Sequence, residues 1–127
     1  MKEEIKYSIL KFKDALIRLK EGVFSAREEL QKDGVIQRFE FTFELFWKSL
    51  RMILEDQGIP CRTPKECLKS AFKIGLLSEE QVFLNTLEDR NKTSHLYHEE
   101  ESEKIFQRIK ADYLPAMEKI LKGIEQG

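Results

Sequence analysis

The chain has 127 residues, with 22 Lys or Arg against 23 Asp or Glu and a formal net charge of -1. That length fits one domain, expected to span 1–127, and 41% apolar and 35% charged residues with few Gly and Pro exclude a low-complexity or disordered chain. The balanced charge excludes a globally basic nucleic-acid binder but leaves room for a local basic patch.

No run approaches the roughly 18 apolar residues of a membrane span, and the start Met1-Lys2-Glu3-Glu4-Ile5 lacks the apolar core of a secretory signal. The expectation is a cytoplasmic protein with no membrane partner. Cys61 and Cys67 match neither a Cys-x-x-Cys pair nor a disulfide framework, so both are expected to be reduced, ordinary residues.

Helical periodicity covers nearly the whole chain. Ile5, Ile9, Phe12, Leu16 and Leu19 form one stripe of a first helix, which Gly22 is expected to end. Val23 to Gly34 reads as a short helix or an ordered connection. A second helix from about Val35 to Gln57, stopped by Gly58, brings Ile36, Phe39, Phe43, Phe46, Trp47, Leu50, Ile53 and Leu54 onto one broad face. Phe41, Leu45 and Met52 project almost opposite, and a second apolar stripe needs a second partner, either another helix or another subunit. Glu40 and Glu44 beside Trp47 have ion-pair partners within reach in Lys48 and Arg51.

Thr63-Pro64-Lys65-Glu66 reads as an N-cap, a first-turn Pro and a capping-box Glu that open a third helix ended by Gly75. Lys65, Lys69 and Lys73 repeat every four residues along it, giving a basic edge that suits phosphates or simply a solvated face. Ser78-Glu79-Glu80-Gln81 repeats the capping-box logic for a fourth helix running to about Tyr97. A fifth, from about Glu100 to Ile124, carries Ile105, Ile109, Tyr113, Met117 and Ile120, with Pro115 expected to kink it. The predicted architecture is all-α, an up-and-down antiparallel four-helix bundle with an additional short helix.

The fourth helix changes chemistry along its length. Phe83, Leu84 and Leu87 predict its buried side, and continuing that direction brings Asn91 and Ser94 onto the same side, between Arg90 and His95. Polar groups at such a place suit a cleft or interface that receives a polar ligand, although a helix end leaving the core also accounts for them. Arg90 is a permanent cation for a phosphate or carboxylate, and His95 is of a residue type suited to general acid or base work. On an ideal helix these two lie about 140° apart, so they converge only if the helix ends or distorts, or if a second subunit completes the site. The spacing of His95, His98 and Glu99 is not that of a zinc motif, and no metal is expected.

Two stretches carry a resemblance: Ile36-Gln37-Arg38-Phe39-Glu40-Phe41-Thr42-Phe43-Glu44-Leu45-Phe46-Trp47-Lys48, and Glu88-Asp89-Arg90-Asn91-Lys92-Thr93-Ser94-His95-Leu96-Tyr97. Together they resemble the nucleotidyltransferase substrate-binding protein family, within the HEPN (higher eukaryotes and prokaryotes nucleotide-binding) domains. The resemblance implies a homodimer, or a heterotetramer with its partner, that pairs with a minimal nucleotidyltransferase encoded beside it. That partner would use ATP and magnesium, and this chain would hold no cofactor. In related toxin-antitoxin modules the HEPN chain is a metal-independent ribonuclease, and the nucleotidyltransferase silences it by attaching AMP to a motif Tyr. Carried over, Arg90 and His95 match the ribonuclease pair, Asn91 the polar residue after Arg, and Tyr97 the modified Tyr.

The functional expectation is a substrate-binding, regulatory subunit whose Arg-x4-His-x-Tyr motif forms a nucleotide or RNA cleft at a dimer interface, with Asn91, Ser94, Lys65, Lys69 and Lys73 as binding residues and Phe41, Leu45 and Met52 as the contact. The alternatives are an active ribonuclease toxin, with His95 as acid or base and Arg90 stabilising the phosphate, and a structural adaptor without a site.

Overall fold

A computed structural model describes residues 1–95 and 98–127. Its helices are α1 (Glu3–Ser25), α2 (Glu29–Asp56), α3 (Pro64–Lys73), α4 (Glu80–Lys92), α5 (Glu99–Arg108) and α6 (Leu114–Gln126), with a 3-10 turn at Thr93–His95. A π-helical turn, Ile109–Tyr113, joins α5 to α6 in one continuous rod. That rod packs with α1, α2 and α4 as an up-and-down bundle, and α3 is the additional short helix. No strand occurs among the described residues.

Polar contacts between helices show the antiparallel registers. Ser8 meets Ser49 at 2.7 Å, Thr42 donates to the Ala15 carbonyl at 3.3 Å, and Arg38 donates to the Arg18 carbonyl at 2.7 Å, so α1 and α2 run in opposite directions. Lys13 with Glu125 and Lys20 with Glu118 set α6 antiparallel to α1. The predicted stripe of α1 and the broad Ile36–Leu54 face of α2 are buried in full. Phe46 is a hub of this core, its ring 5.4 Å from Phe12 of α1 and 5.2 Å from Phe83 of α4. Aromatic pairs at such separations add directional attraction to the burial of apolar area.

Several boundaries differ from expectation. Gly22 does not end α1. A side chain there would meet Val35 and Arg38 at 3.2 Å, so this glycine is a point of close approach between α2 and α1, and α1 continues to Ser25. Helix α2 accordingly begins six residues earlier than expected, at Glu29, where Glu28 and Gln31 form a capping box. Gly58 and Gly75 have the positive φ of helix-ending glycines, as predicted. The Thr63–Glu66 capping box is also present. The corresponding box at Ser78 is not: α4 starts at Glu80 without a side-chain cap, because the chain after Gly75 tucks Leu77 into the core before the helix begins.

The cysteines require a correction, since Cys61 and Cys67 are joined as a disulfide. Glu66 binds the backbone amides of both Arg62 and Thr63 and folds the arm before α3 back onto its first turn. This brings the two Cα atoms to 5.3 Å, within disulfide range, at a spacing that matches no motif.

Candidate functional site

The site lies where the end of α4 crosses α2. Arg90 leaves α4 toward α2 and donates from Nη2 to Glu44 Oε1, and both side chains are about one-third exposed. The other carboxylate oxygen of Glu44 accepts from the Trp47 indole at 3.2 Å and lies 3.5 Å from Lys48 Nζ. Arg51, expected to join this group, pairs instead with Glu55, one turn along the same helix. Arg90 Nη1 is 3.4 Å from Asn91 Oδ1, a contact at the long limit of a hydrogen bond. A guanidinium carries five donors, so Arg90 retains donors for a further anion.

Beyond Lys92 the α-helix tightens into the 3-10 turn, with Thr93 Oγ1 donating to the Arg90 carbonyl at 2.6 Å. Asn91, Ser94 and His95 are exposed there. No hydrogen bond joins Arg90 to His95 among the described residues, and Tyr97 lies outside them. Lys65, Lys69 and Lys73 stand exposed on the outer side of α3, whose buried face is Cys67, Leu68 and Ala71. Phe41 is 61% exposed, whereas Leu45 and Met52 pack partly against the core. The second apolar stripe of α2 thus reaches the surface chiefly through Phe41.

The buried face of α4 is rotated from the predicted one. Phe83, Thr86 and Asp89 are its buried residues, while Leu84 and Leu87 are only partly covered. Asp89, 3% exposed, receives a fork from Arg108, with Nε at 2.6 Å and Nη2 at 2.9 Å, together with the Tyr113 hydroxyl. Such bidentate pairing is the geometry that makes a buried carboxylate tolerable. Asp89 holds the Arg108 guanidinium more firmly protonated than usual. Burial, and then the bond to Asp89, push the Tyr113 hydroxyl above the ordinary phenol range.

Sequence reasoning missed this trio because it counts an Asp as an outward residue and sees one helix at a time. A signal was present in Asp89 three residues after Thr86, but its partners lie in the last helical rod.

Beneath the motif turn, a hollow of about 330 Å³ is lined by Glu29, Asp33, Glu40 and Glu99, with Thr93, His98 and Ser102. The charge of Glu99 raises the proton affinity of Glu29 across it. A phosphate would be repelled from this hollow, so the favourable approach for an anion is the Arg90 side.

Comparison with known proteins decides the family. The model of "Nucleotidyltransferase substrate binding protein like" matches residues 7–126. This chain belongs to that family. It is also 29% identical over 98 residues to "Probable ribonuclease HepT" of Haemophilus influenzae, a match that spans 73% of this chain and 66%, just under two thirds, of that relative. A crystal structure of a Thermus thermophilus protein is 38% identical and superposes with a TM-score of 0.81, covering 87% of this chain and 96% of that one. The family name associates this fold with a nucleotidyltransferase. No helix among the described residues is long and apolar enough to cross a membrane.

Proposed function

We propose that this chain is the substrate-binding, regulatory subunit of a minimal nucleotidyltransferase, and that Arg90, assisted by Asn91, binds a phosphate of a nucleotide or RNA in a cleft completed by a second copy of the chain. The observation that carries the reading is Arg90 itself, a partly exposed guanidinium held by one carboxylate with donors to spare, in a chain whose family match spans residues 7–126. Ser94 and His95, exposed on the adjoining turn, would contact the same ligand. Lys65, Lys69 and Lys73 would add attraction at longer range. The hydrophobic contact of the homodimer would centre on Phe41, flanked by Leu45 and Met52. ATP and magnesium would belong to the partner, and the compartment would be the cytoplasm.

The test is titration with ATP and with a short RNA. Arg90→Ala is expected to weaken binding at least tenfold, and unchanged affinity would overturn the site. Phe41→Glu is expected to give monomers in light scattering, and persistent dimers would move the contact elsewhere.

A second reading, metal-independent ribonuclease activity, has its support in the name of the Haemophilus relative and in the exposure of His95. His95 would take the proton of an RNA 2′-hydroxyl or protonate the leaving oxygen, with Arg90 stabilising charge on the phosphate. AMP on Tyr97 would then block RNA by bulk and charge. RNA cleavage that persists in His95→Ala would exclude this mechanism.

A further inference from the structure

We propose that Asp89 is a positioning residue for Arg90, and that the π-turn of the last helical rod exists to hold it. The proposal rests on the phosphate-binding reading of Arg90 and adds what aims that side chain.

Helix α4 has little apolar anchorage near its end. Its one fully buried large apolar residue is Phe83, near its start, and Leu84 and Leu87 are only partly covered. After Thr86, the fully buried side chain of α4 is Asp89. The rotation of the last turn about its own axis, and hence the direction in which the neighbouring Arg90 leaves the helix, therefore depends on what grips Asp89.

That grip comes from one short stretch of the last helical rod. Arg108 supplies two donors to the carboxylate. The Tyr113 hydroxyl donates to the same carboxylate and has the Asn85 carbonyl as a second acceptor at 3.3 Å, so α4 is held at two points about one turn apart. In a regular α-helix, residues five apart such as Arg108 and Tyr113 would diverge by about 140°. The intervening turn, Ile109–Tyr113, is π-helical, with its hydrogen bonds closed across five residues, and the wider turn lets both side chains reach Asp89. The Tyr113 ring is itself fixed by stacking on Phe39 of α2, 5.8 Å between centroids. Since α2 also carries Glu44, the helix that receives Arg90 and the clamp that aims it share one frame.

The test uses Asp89→Asn, which keeps shape and loses charge, and Tyr113→Phe, which keeps the buried ring and loses only the hydroxyl. Two quantities are read: the Arg90 Nε–Hε NMR resonance, assigned by its loss in Arg90→Lys, and the affinity for ATP. Both variants are expected to shift or broaden that resonance and to weaken ATP binding about tenfold, while a core variant remote from the clamp, Ile9→Val, changes neither. Wild-type resonance and affinity in Asp89→Asn and Tyr113→Phe would overturn the proposal. A shifted resonance in a protein whose wild type binds no ATP would instead leave the positioning role standing and remove the phosphate-site reading.

Discussion

Two arginine–carboxylate pairs tie α4 to its neighbours, and they are built differently. Asp89 is buried, gripped by a bidentate fork and a tyrosine, and its arginine reaches it from another helix. Glu44 and Arg90 meet through one nitrogen and one oxygen, both about one-third exposed, and Glu44 keeps Trp47 and Lys48 as partners on its other oxygen. The first pair cannot dissolve without stranding a charge in the core. The second can exchange, because an anion arriving at Arg90 leaves Glu44 still paired. A fixed joint thus lies one residue from a replaceable one, an arrangement that suits a binding side chain on a rigid base.

The comparison predicts unequal responses. Arg108→Ala is expected to have the largest effect, a loss of about 3 kcal/mol in denaturant unfolding, because Asp89 would remain buried with only the tyrosine hydroxyl. A loss under about 1 kcal/mol would mean that the clamp is no stronger than a surface pair. Tyr113→Phe is expected to cost about 1 kcal/mol near neutral pH. It should also alter the alkaline limb of the stability profile. Tyr113 holds its proton more tightly folded than unfolded, so its contribution is complete below about pH 10 and is lost as the pH rises beyond that. That share of the alkaline loss should be missing from Tyr113→Phe, and superimposable profiles would contradict the buried hydrogen bond.

Glu44→Gln is expected to have the smallest effect on stability, within about 0.5 kcal/mol, yet to raise ATP affinity several-fold by releasing Arg90 from its internal anion. A fall in affinity would show that Glu44 orients Arg90 rather than competing for it.

Features expressed along a single helix were legible in the sequence. The apolar stripes of α1 and α2, the Thr63–Glu66 start of α3 and the glycine stops at Gly58 and Gly75 follow from local periodicity and backbone chemistry. What escaped depends on contact between distant segments. Gly22 reads as a stop and is a close-packing point against Val35 and Arg38. Cys61 and Cys67 read as isolated thiols and are brought together by Glu66 folding the arm back. Arg90 and His95 stand out in the sequence by residue type, but the partner of Arg90 lies in α2, 46 residues earlier. Extending the Phe83, Leu84 and Leu87 direction places Asn91 and Ser94 inward, whereas the buried face runs through Phe83, Thr86 and Asp89, and burial of Asp89 is tolerated only with Arg108 and Tyr113 in place.

Whether this chain works as a partnered binding subunit is decided by co-expression with a minimal nucleotidyltransferase followed by size-exclusion chromatography with light scattering. One stable peak containing both proteins and two copies of this chain is expected. Separate elution of the two proteins would contradict that role.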